Sequence, residues 1–466
     1  MAVKIAPISG FPEFMPAEQI VVNKWLDTIR RTYEAFGFAP LETAAVERVE
    51  YLLAKGIEAK EVYGLRRLAA AEDDGAKDLA LRFDLTVPLA RFVAQHHGAL
   101  RFPFRRYQMQ PVWRGERAQA GRYRQFVQCD IDVIGDGELS LEHDAEIPAV
   151  IFMLFRRLGI GKFTIRINNR RILSGLFESV GLAGDGPIRA AMNAVDELDR
   201  IGPGRVVEKL LAVGLDKEKA ERILAFFDIK GDNDAVLARL KAMAANATFE
   251  AGVAELERVV GAAAAHVPRR FEDGELVSVE DERALFPAHF QVDLGIARGL
   301  DYYTGTVYET RLDAAPKIGS ICSGGRYENL VGNFVDRKFP GVGISIGLTR
   351  LMARLFESGL VKAGGTAVAP VLVTVQDPSC LDRYKEIAAR LRLAGIRTEL
   401  FLEAKRLDKQ IQYADRKGFP LVVVANREEL ERDTVVLKNM RARQEQRVGI
   451  AQLPPLVRSM TPPEFD

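Results

Sequence analysis

The pattern of apolar and polar positions changes along the chain and divides it into distinct regions. Residues 1–170 and 269–364 mix helical stretches with strand-like runs rich in aromatic and β-branched residues. Residues 171–268 are rich in Ala and Leu at helical spacing. Residues 368–466 alternate between strand-like and helical runs, which predicts a small α/β domain with a largely parallel sheet. We therefore expect an α+β domain with a helical insertion, followed by a separate α/β domain.

The stretch 105–135 is the most informative part of the first region. Two strand-like runs flank a loop of small residues, 118–121, and predict an antiparallel hairpin with a tip of about four to six residues. The second arm alternates strictly, with Phe126, Gln128, Asp130 and Asp132 on one face and Val127, Cys129, Ile131 and Val133 on the other. One face is therefore polar and acidic, and the other belongs to the core.

Arginines surround the tip of this predicted hairpin. Arg114 shares a face of the first arm with Glu116, and Arg122 follows the loop. Arginine binds phosphate through two parallel hydrogen bonds, so arginines beside an acidic strand predict a joint site for a polyphosphate and a cationic small molecule. The alternative is a surface hairpin whose arginines are solvated. The buried-strand pattern favours the binding site, because buried charges are costly without a ligand or partner.

Two strand-to-helix junctions carry further charged residues. Residues 79–95 begin as a strand and become a helix, with Asp84 and Thr86 at the junction. These residues either cap the helix or, in the case of Asp84, offer a carboxylate to a substrate ammonium group. Residues 341–351 predict a buried strand that runs into a helix with Arg350 in its first turn. A cation there opposes the helix dipole, which indicates a nearby anion such as phosphate.

Two other segments add to the prediction. Apolar residues at helical spacing between 22 and 36 predict an N-terminal helix that ends at Gly37, followed by a strand over 38–43. Residues 290–309 predict a second hairpin, whose turn near 298–305 concentrates Arg298, Asp301, Tyr302 and Tyr303. The pair Gly324 and Gly325 either lets the backbone approach a ligand closely or forms a tight turn.

Composition narrows the class of protein. The 466 residues include 65 Lys+Arg and 64 Asp+Glu, so the net charge gives no sign of a polyanionic partner, although local patches can still bind one. The three cysteines lie far apart without a CxxC pair, which argues against a disulfide framework and a zinc site. No apolar run reaches the ~18 residues of a membrane span, and the N-terminus lacks a signal-peptide core. We expect a cytosolic protein without a metal site or membrane contact.

Together these segments resemble class II aminoacyl-tRNA synthetases. The predicted hairpin resembles motif 2 of that class, residues 341–351 resemble motif 3, and residues 10–46 resemble motif 1. Residues 298–305 and 320–327 resemble the two signature peptides of the histidyl-tRNA synthetase family. The resemblance implies an α+β fold: a class II antiparallel-sheet catalytic domain over 1–170 and 269–364, a helical insertion over 171–268, and an α/β anticodon-binding domain over 368–466.

The resemblance also implies a role for individual side chains. The residues implied for ATP binding are Arg114, Glu116, Arg122, Phe126 and Arg350. Those implied for histidine binding are Asp84, Thr86, Gln128, Asp132, Tyr302 and Tyr303. Arg298 and Arg114 are implied as catalytic, and Arg117 and Gln119 as contacts to the acceptor end of tRNA.

The implied activity is ligation of histidine to tRNA(His) through histidyl-adenylate. ATP and Mg²⁺ are the implied cofactors, and a cytoplasmic homodimer that binds L-histidine and tRNA(His) is the implied assembly. The sequence departs from the family pattern at Ala44 in motif 1, at Asp84, which is shorter than the glutamate of many bacterial members, and at Thr349 before the motif 3 arginine. None of these changes removes a charged catalytic group.

Two alternatives remain beside this interpretation. One is a catalytically silent relative, the histidine-binding regulatory subunit of ATP phosphoribosyltransferase, against which the arginines at 114, 298 and 350 and the C-terminal α/β domain argue. The other is a different class II synthetase, against which the pair Tyr302 and Tyr303 argues.

Overall fold

A computed structural model describes residues 5–54, 57–67, 78–116, 122–273, 276–277, 280–296, 303–329, 331–332, 334–462 and 465. Its internal contacts divide the chain into two compact units. The first comprises Met1–Glu13 and Trp25–Val361, and the second comprises Phe14–Lys24 and Lys362–Asp466. Each unit is a separate folded body with its own core.

The N-terminal helix forms as predicted. Helix α1 (Pro16–Ala35) buries Ile29 and Tyr33, and Gly37 follows it with a φ of 76°, the left-handed conformation that favours glycine at a helix end. The strand after it is shorter than the predicted 38–43, because only β1 (Ala39–Pro40) pairs with the sheet. β1 is an edge strand, where a proline that cannot donate a backbone hydrogen bond is tolerated.

The rest of the first unit before the insertion alternates short strands and helices. In chain order these elements are β2 (Val46–Arg48), α2 (Val49–Leu53), β3 (Leu79–Leu81), α3 (Thr86–His96), β4 (Phe104–Trp113), β5 (Gln125–Ile134), α4 (Glu142–Leu158) and β6 (Phe163–Asn169). β4 and β5 form the predicted hairpin. Its strands end at 113 and begin again at 125, so the connection is longer than the predicted tip.

The region 171–268 is helical, as predicted. Its helices are α5 (Arg170–Ser179), α6 (Asp185–Asp196), α7 (Leu198–Ile201), α8 (Pro203–Ala212), α9 (Lys217–Phe227), α10 (Asn233–Met243) and α11 (Ala247–Ala263). α5 and α11 pack closely because each presents a glycine to the other: a Cβ on Gly252 would lie 2.7 Å from the backbone nitrogen of Ile172. α11 also packs against α4, so this helical region is packed onto the rest of the first unit.

The chain then returns to the main sheet. The elements that follow are β7 (Glu272–Asp273), β8 (Leu276–Val277), α12 (Glu282–Leu285), β9 (Phe290–Val292), β10 (Thr306–Leu312), β11 (Ser320–Tyr327), β12 (Gly341–Gly347) and α13 (Leu348–Glu357). Within the described residues the sheet has eight strands in the order β1-β4-β5-β12-β11-β10-β6-β9. Its interior pairs are antiparallel, and the two outermost pairs, β1–β4 and β6–β9, are parallel.

This order shows that the predicted hairpin over 290–309 is wrong. β9 and β10 do not pair, because β6 lies between them and bonds to both. Strand-like residues on both sides of a turn are compatible with either arrangement, so local sequence alone cannot distinguish them.

The second unit contains the predicted α/β domain. Its elements are β13 (Val371–Val373), α14 (Leu381–Leu393), β14 (Thr398–Leu400), α15 (Leu407–Lys417), β15 (Leu421–Val424), α16 (Arg427–Glu431), β16 (Thr434–Asn439), β17 (Gln444–Gly449) and α17 (Leu453–Met460). β14, β13 and β15 are parallel, and an antiparallel hairpin of β16 and β17 that the pattern did not predict extends the sheet. Among the helices of the described ranges, none has the length and apolar character needed to span a bilayer.

Candidate active site

A cleft of about 460 Å³ opens over β5, β12, β11 and β10 in the first unit. The sheet places most of the predicted site residues around it. These are Asp84, Thr86, Arg114, Glu116, Arg122, Phe126, Gln128, Asp132, Tyr303 and Arg350. Other predicted residues, namely Arg117, Gln119, Arg298 and Tyr302, lie outside the described residues.

Strand β5 sets the order of groups along the cleft. Its cleft-facing residues run from Phe126 through Gln128 and Asp130 to Asp132, as the alternation predicted. The opposite face, with Cys129, Ile131 and Val133, is fully buried. A strand rises about 3.3 Å per residue, so the aromatic and acidic ends lie about 20 Å apart. One strand thus presents an aromatic end and a carboxylate end to a single ligand.

Arg114 lies at the aromatic end of the cleft. Its guanidinium carbon is 4.5 Å from the ring centre of Phe83 and 5.1 Å from that of Phe126, and its Nε donates to the Phe83 carbonyl at 3.3 Å. Aromatic faces attract a cation and hold its planar fork in one orientation. The side chain is therefore oriented before any anion binds.

Two more arginines border the same end. Arg122 lies 3.3 Å from Glu116 in a largely exposed pair. Arg350, in the first turn of α13, donates to the Ile318 carbonyl at 3.4 Å. Thr349 in the same turn accepts a hydrogen bond from the backbone nitrogen of Val127 at 2.9 Å, which fixes α13 to β5.

At the junction of β3 and α3, both interpretations of Asp84 have structural support. Its Oδ1 accepts hydrogen bonds from the backbone nitrogens of Thr86 at 3.1 Å and Val87 at 2.9 Å. Asp84 therefore provides acceptors for two N–H groups at the start of α3 that have no partner within the helix. The same residue lines the cleft. Across the cleft floor, Gln128 donates to the Ser345 hydroxyl at 2.8 Å.

Asp132 forms the buried acidic end of the cleft. Arg106 Nη2 lies 2.5 Å from its Oδ2, and the Tyr327 hydroxyl donates to its Oδ1 at 2.9 Å. Burial raises the pKa of the Asp132 carboxyl, while Arg106 and the Tyr327 hydrogen bond act in the opposite direction. Burial and the carboxylates of Asp132 and Asp130 raise the pKa of the Tyr303 phenol, so this group stays neutral and can donate a hydrogen bond.

Glycines let these groups come together. A Cβ on Gly343, opposite Asp132 on β12, would clash with the Asp132 carboxylate. A Cβ on Gly325 would lie 2.8 Å from the Tyr303 ring, and one on Gly324 would lie 2.6 Å from the Cα of Ile344. The glycine pair lies inside strand β11, where it leaves room for the neighbouring strand and for the Tyr303 ring. The sequence had suggested either close approach to a ligand or a tight turn.

The sequence prediction missed several residues of the site. Arg106, Tyr327, Asp130 and Ser345 contact the predicted residues but received no role. Asp130 carried a signal, since it shares the acidic face, and Tyr327 is the last residue of the signature-like peptide 320–327. Arg106 could be found only from the exact pairing of β4 and β5.

The described residues contain no cluster of three or more His, Cys, Asp or Glu side chains suited to a metal ion. Cys129, Cys322 and Cys380 are free thiols, and burial raises the pKa of the first two, which keeps them protonated and unreactive.

Comparisons with known proteins agree with this geometry. The family model described as "Histidyl-tRNA synthetase" matches residues 10–351, and that of the "Anticodon binding domain" matches residues 367–460. A histidine–tRNA ligase of Xanthomonas oryzae is 47% identical over 454 residues, 92% of each chain. The crystal structure of histidyl-tRNA synthetase from Nostoc superposes with a TM-score of 0.87 at 40% identity, covering 98% of this chain and 100% of the other.

A solved structure from Bacillus halodurans, titled as an ATP phosphoribosyltransferase regulatory subunit/histidyl-tRNA synthetase, has a TM-score of 0.70. It is 18% identical and covers 89% of this chain and 97% of its own, so it shares the fold alone. The long match to the family model and the identity with curated relatives show that the chain belongs to the histidyl-tRNA synthetase family.

Proposed function

We propose that this chain is a histidine–tRNA ligase, which activates histidine with ATP and transfers it to the 3′ end of tRNA(His). The observation that carries the proposal is the order of groups along β5. An arginine in contact with two aromatic rings lies at one end of the cleft, and a buried, arginine-paired carboxylate lies at the other. This order suits a nucleotide joined to an amino acid with a polar ring.

In the first step the histidine carboxylate attacks the α-phosphorus of ATP. A new P–O bond forms, the bond from the α-phosphorus to the bridging oxygen breaks, and pyrophosphate leaves. Because negative groups approach each other, the protein contributes mainly positioning and charge neutralisation. Arg114 would hold the α-phosphate, Arg122 and Arg350 the terminal phosphates, and Arg298 would stabilise the charge that develops at the α-phosphate.

Side chains on the cleft floor would select histidine. Asp84, Thr86 and Gln128 would receive its amino group, and Asp132, Tyr303 and Tyr302 would form the pocket for its imidazole. An amino acid without the ring nitrogens would offer no hydrogen-bonding group to Asp132 and the Tyr303 hydroxyl, and this kind of mismatch is rejected strongly. Glu116 and Phe126 would contact the adenine.

In the second step a ribose hydroxyl at the 3′ end of tRNA attacks the histidyl carbonyl, and AMP leaves. Arg117 and Gln119 are proposed contacts to the acceptor end. We assign 1–170 and 269–364 to the catalytic domain, 171–268 to the insertion and 368–466 to anticodon binding. A homodimer in the cytoplasm is proposed from family membership.

Mg²⁺ is proposed to accompany ATP. Mg²⁺ at nucleotide sites is usually held by substrate phosphates together with one or two carboxylates. When bound, the ion would neutralise charge on the leaving pyrophosphate.

Transfer of labelled histidine to a tRNA(His) transcript tests the proposal, with a tRNA of another identity as control. We expect charging of tRNA(His) alone, and loss of charging in Arg114→Ala. Histidine binding without any charging would overturn the proposal and favour the regulatory subunit of ATP phosphoribosyltransferase.

A further inference from the structure

Asp130 occupies the middle of the cleft floor, between Gln128 and Asp132 on the same face of β5. It is 3% exposed. Its neighbours in the sheet register are Gln108 on β4 and Ser345 on β12. The roles proposed above leave this buried carboxyl group unused.

Two buried oxygen atoms at this register pair have no hydrogen bond within the described part of the chain. They are Oδ1 of Asp130 and Oε1 of Gln108. The amide nitrogen of Gln108 donates to the Thr43 hydroxyl at 2.8 Å and to Gln110 Oε1 at 2.6 Å, so the amide oxygen is its remaining acceptor. Directly opposed residues of antiparallel strands lie on the same face. A carboxylate and an amide oxygen both accept, and a proton between them would satisfy both.

A second link connects Asp130 to the predicted substrate site. The Ser345 hydroxyl hydrogen-bonds to the Asp130 carboxyl and accepts from Gln128 Nε2 at 2.8 Å. A chain of hydrogen bonds therefore leads from Asp130 through Ser345 to Gln128. Displacement of Asp130 would move the amide proposed to receive the amino group of histidine.

The charges around Asp130 favour a bound proton. The titratable groups that face it from neighbouring elements are Asp132, Cys129, Arg106, Asp84, Tyr303, Cys322 and Tyr33. Burial raises the pKa of Asp130 to about 7, and Asp132 and Asp84 add to the rise, while Arg106 and Ser345 oppose it.

We propose that Asp130 and the side-chain oxygen of Gln108 share a proton, and that this makes Asp130 a positioning residue which holds Gln128 in place through Ser345. The positioning role rests on the proposed function, whereas the shared proton does not. The shared proton and the positioning role are therefore tested by separate measurements.

The proton is tested by the pH dependence of unfolding. Because the pKa of Asp130 is higher in the folded than in the unfolded protein, the proton stabilises the fold at acidic pH, and this stabilisation is lost as the pH rises from about 4 to about 7. Relative to Asp130→Asn, which does not titrate, the wild-type stability in urea should fall over that range and then level off. A constant difference would overturn the proposal.

Gln108→Met tests the identity of the partner. Without the amide oxygen the protonated carboxyl loses its acceptor, so the pKa of Asp130 should fall. The difference in unfolding free energy between Gln108→Met and the double variant Gln108→Met/Asp130→Asn is measured against pH. The fall in this difference should end at a lower pH than the fall seen between the wild type and Asp130→Asn. An unchanged pH range would show that Gln108 does not share the proton.

The positioning role is tested by the KM for histidine in ATP–pyrophosphate exchange, measured from about pH 6 to about pH 9. The ratio of the wild-type KM to the Asp130→Asn KM cancels the titration of histidine itself. This KM ratio should rise ~fivefold to tenfold from the acidic to the alkaline end of the range, and kcat should change less. The reason is that ionisation of Asp130 leaves its Oδ1 and the Gln108 Oε1 without a shared proton. The exposed control Glu445→Gln should give a flat ratio.

A flat ratio for Asp130→Asn would refute the positioning role. Asp130→Ala, which removes both links, should raise the KM at every pH, and an unchanged KM in this variant would refute the role as well. If the wild type shows no histidine-dependent exchange, the proposed function fails, while the unfolding measurements still decide the question of the proton.

Discussion

Arg106 and Asp132 lie directly opposite each other on β4 and β5 and form an ion pair, with Nη2 2.5 Å from Oδ2. The arginine side chain is 0% exposed and the aspartate side chain 9% exposed. Removing one partner of a buried pair leaves an uncompensated charge, which costs more than the pair contributes. The pair therefore opposes the effect of burial, which raises the pKa of the Asp132 carboxyl.

Arg106→Met should weaken both folding and histidine binding. The change leaves Asp132 without its cation, so we expect a loss of ~3–5 kcal/mol in the free energy of unfolding. The pKa of Asp132 should rise, and the KM for histidine in pyrophosphate exchange should rise more than the KM for ATP. Arg48→Met, which removes an exposed partner of Glu50, should cost at most ~1 kcal/mol. Equal effects of the two variants would contradict the account.

Tyr327→Phe should change the pH dependence of activity. The Tyr327 hydroxyl stabilises the ionised Asp132 and so lowers its pKa. Its removal should raise that pKa and move the acid limb of kcat/KM for histidine to higher pH. Tyr384→Phe removes a similarly buried hydroxyl in the second unit and should leave the limb in place. An unshifted limb in Tyr327→Phe would show that Asp132 does not act in ionised form.

Arg114→Lys should slow activation although the charge is kept. Lysine lacks the planar fork that lies against Phe83 and Phe126, and it cannot donate two parallel bonds to one phosphate. We expect kcat for pyrophosphate exchange to fall ~10²–10³-fold. The partly buried Arg354, which pairs with Glu357 outside the proposed phosphate site, serves as control in the variant Arg354→Lys. Full activity in Arg114→Lys would place the α-phosphate elsewhere.

Gly343→Ala should disrupt the acidic end of the cleft. The added Cβ would clash with the Asp132 carboxylate and the Ile131 carbonyl, so either the side chain or the strand must move. We expect a raised KM for histidine and lower thermal stability. Gly261→Ala, where a Cβ meets nothing within 4 Å, should preserve both properties. A Gly343→Ala variant with wild-type KM would mean that Asp132 does not need its present position.

Sequence patterning predicted the helix α1, the β4–β5 hairpin, the junction before α3 and the strand that leads into α13, because each depends on local periodicity. It also placed Phe126, Gln128 and Asp132 on one face, since alternation needs no knowledge of the partner strand. The position of β6 between β9 and β10 could not be predicted in this way. It depends on contacts between residues far apart in sequence.

Register explains why Arg106 was missed. A symmetric tip at 118–121 would pair Asp132 with Tyr107, whereas the longer connection pairs it with Arg106. A shift of one residue brings the opposite face of a strand to the partner, so an error of one in the loop hides the ion pair. The shared environment of Asp130 and Gln108 depends on the same register.

Amino-acid-dependent ATP–pyrophosphate exchange, run with each standard amino acid in turn, tests the central claim most directly. We predict exchange with histidine alone, and a fall of ~10²–10³-fold in Arg298→Ala. Exchange with another amino acid, or none with histidine although histidine binds, would contradict the claim.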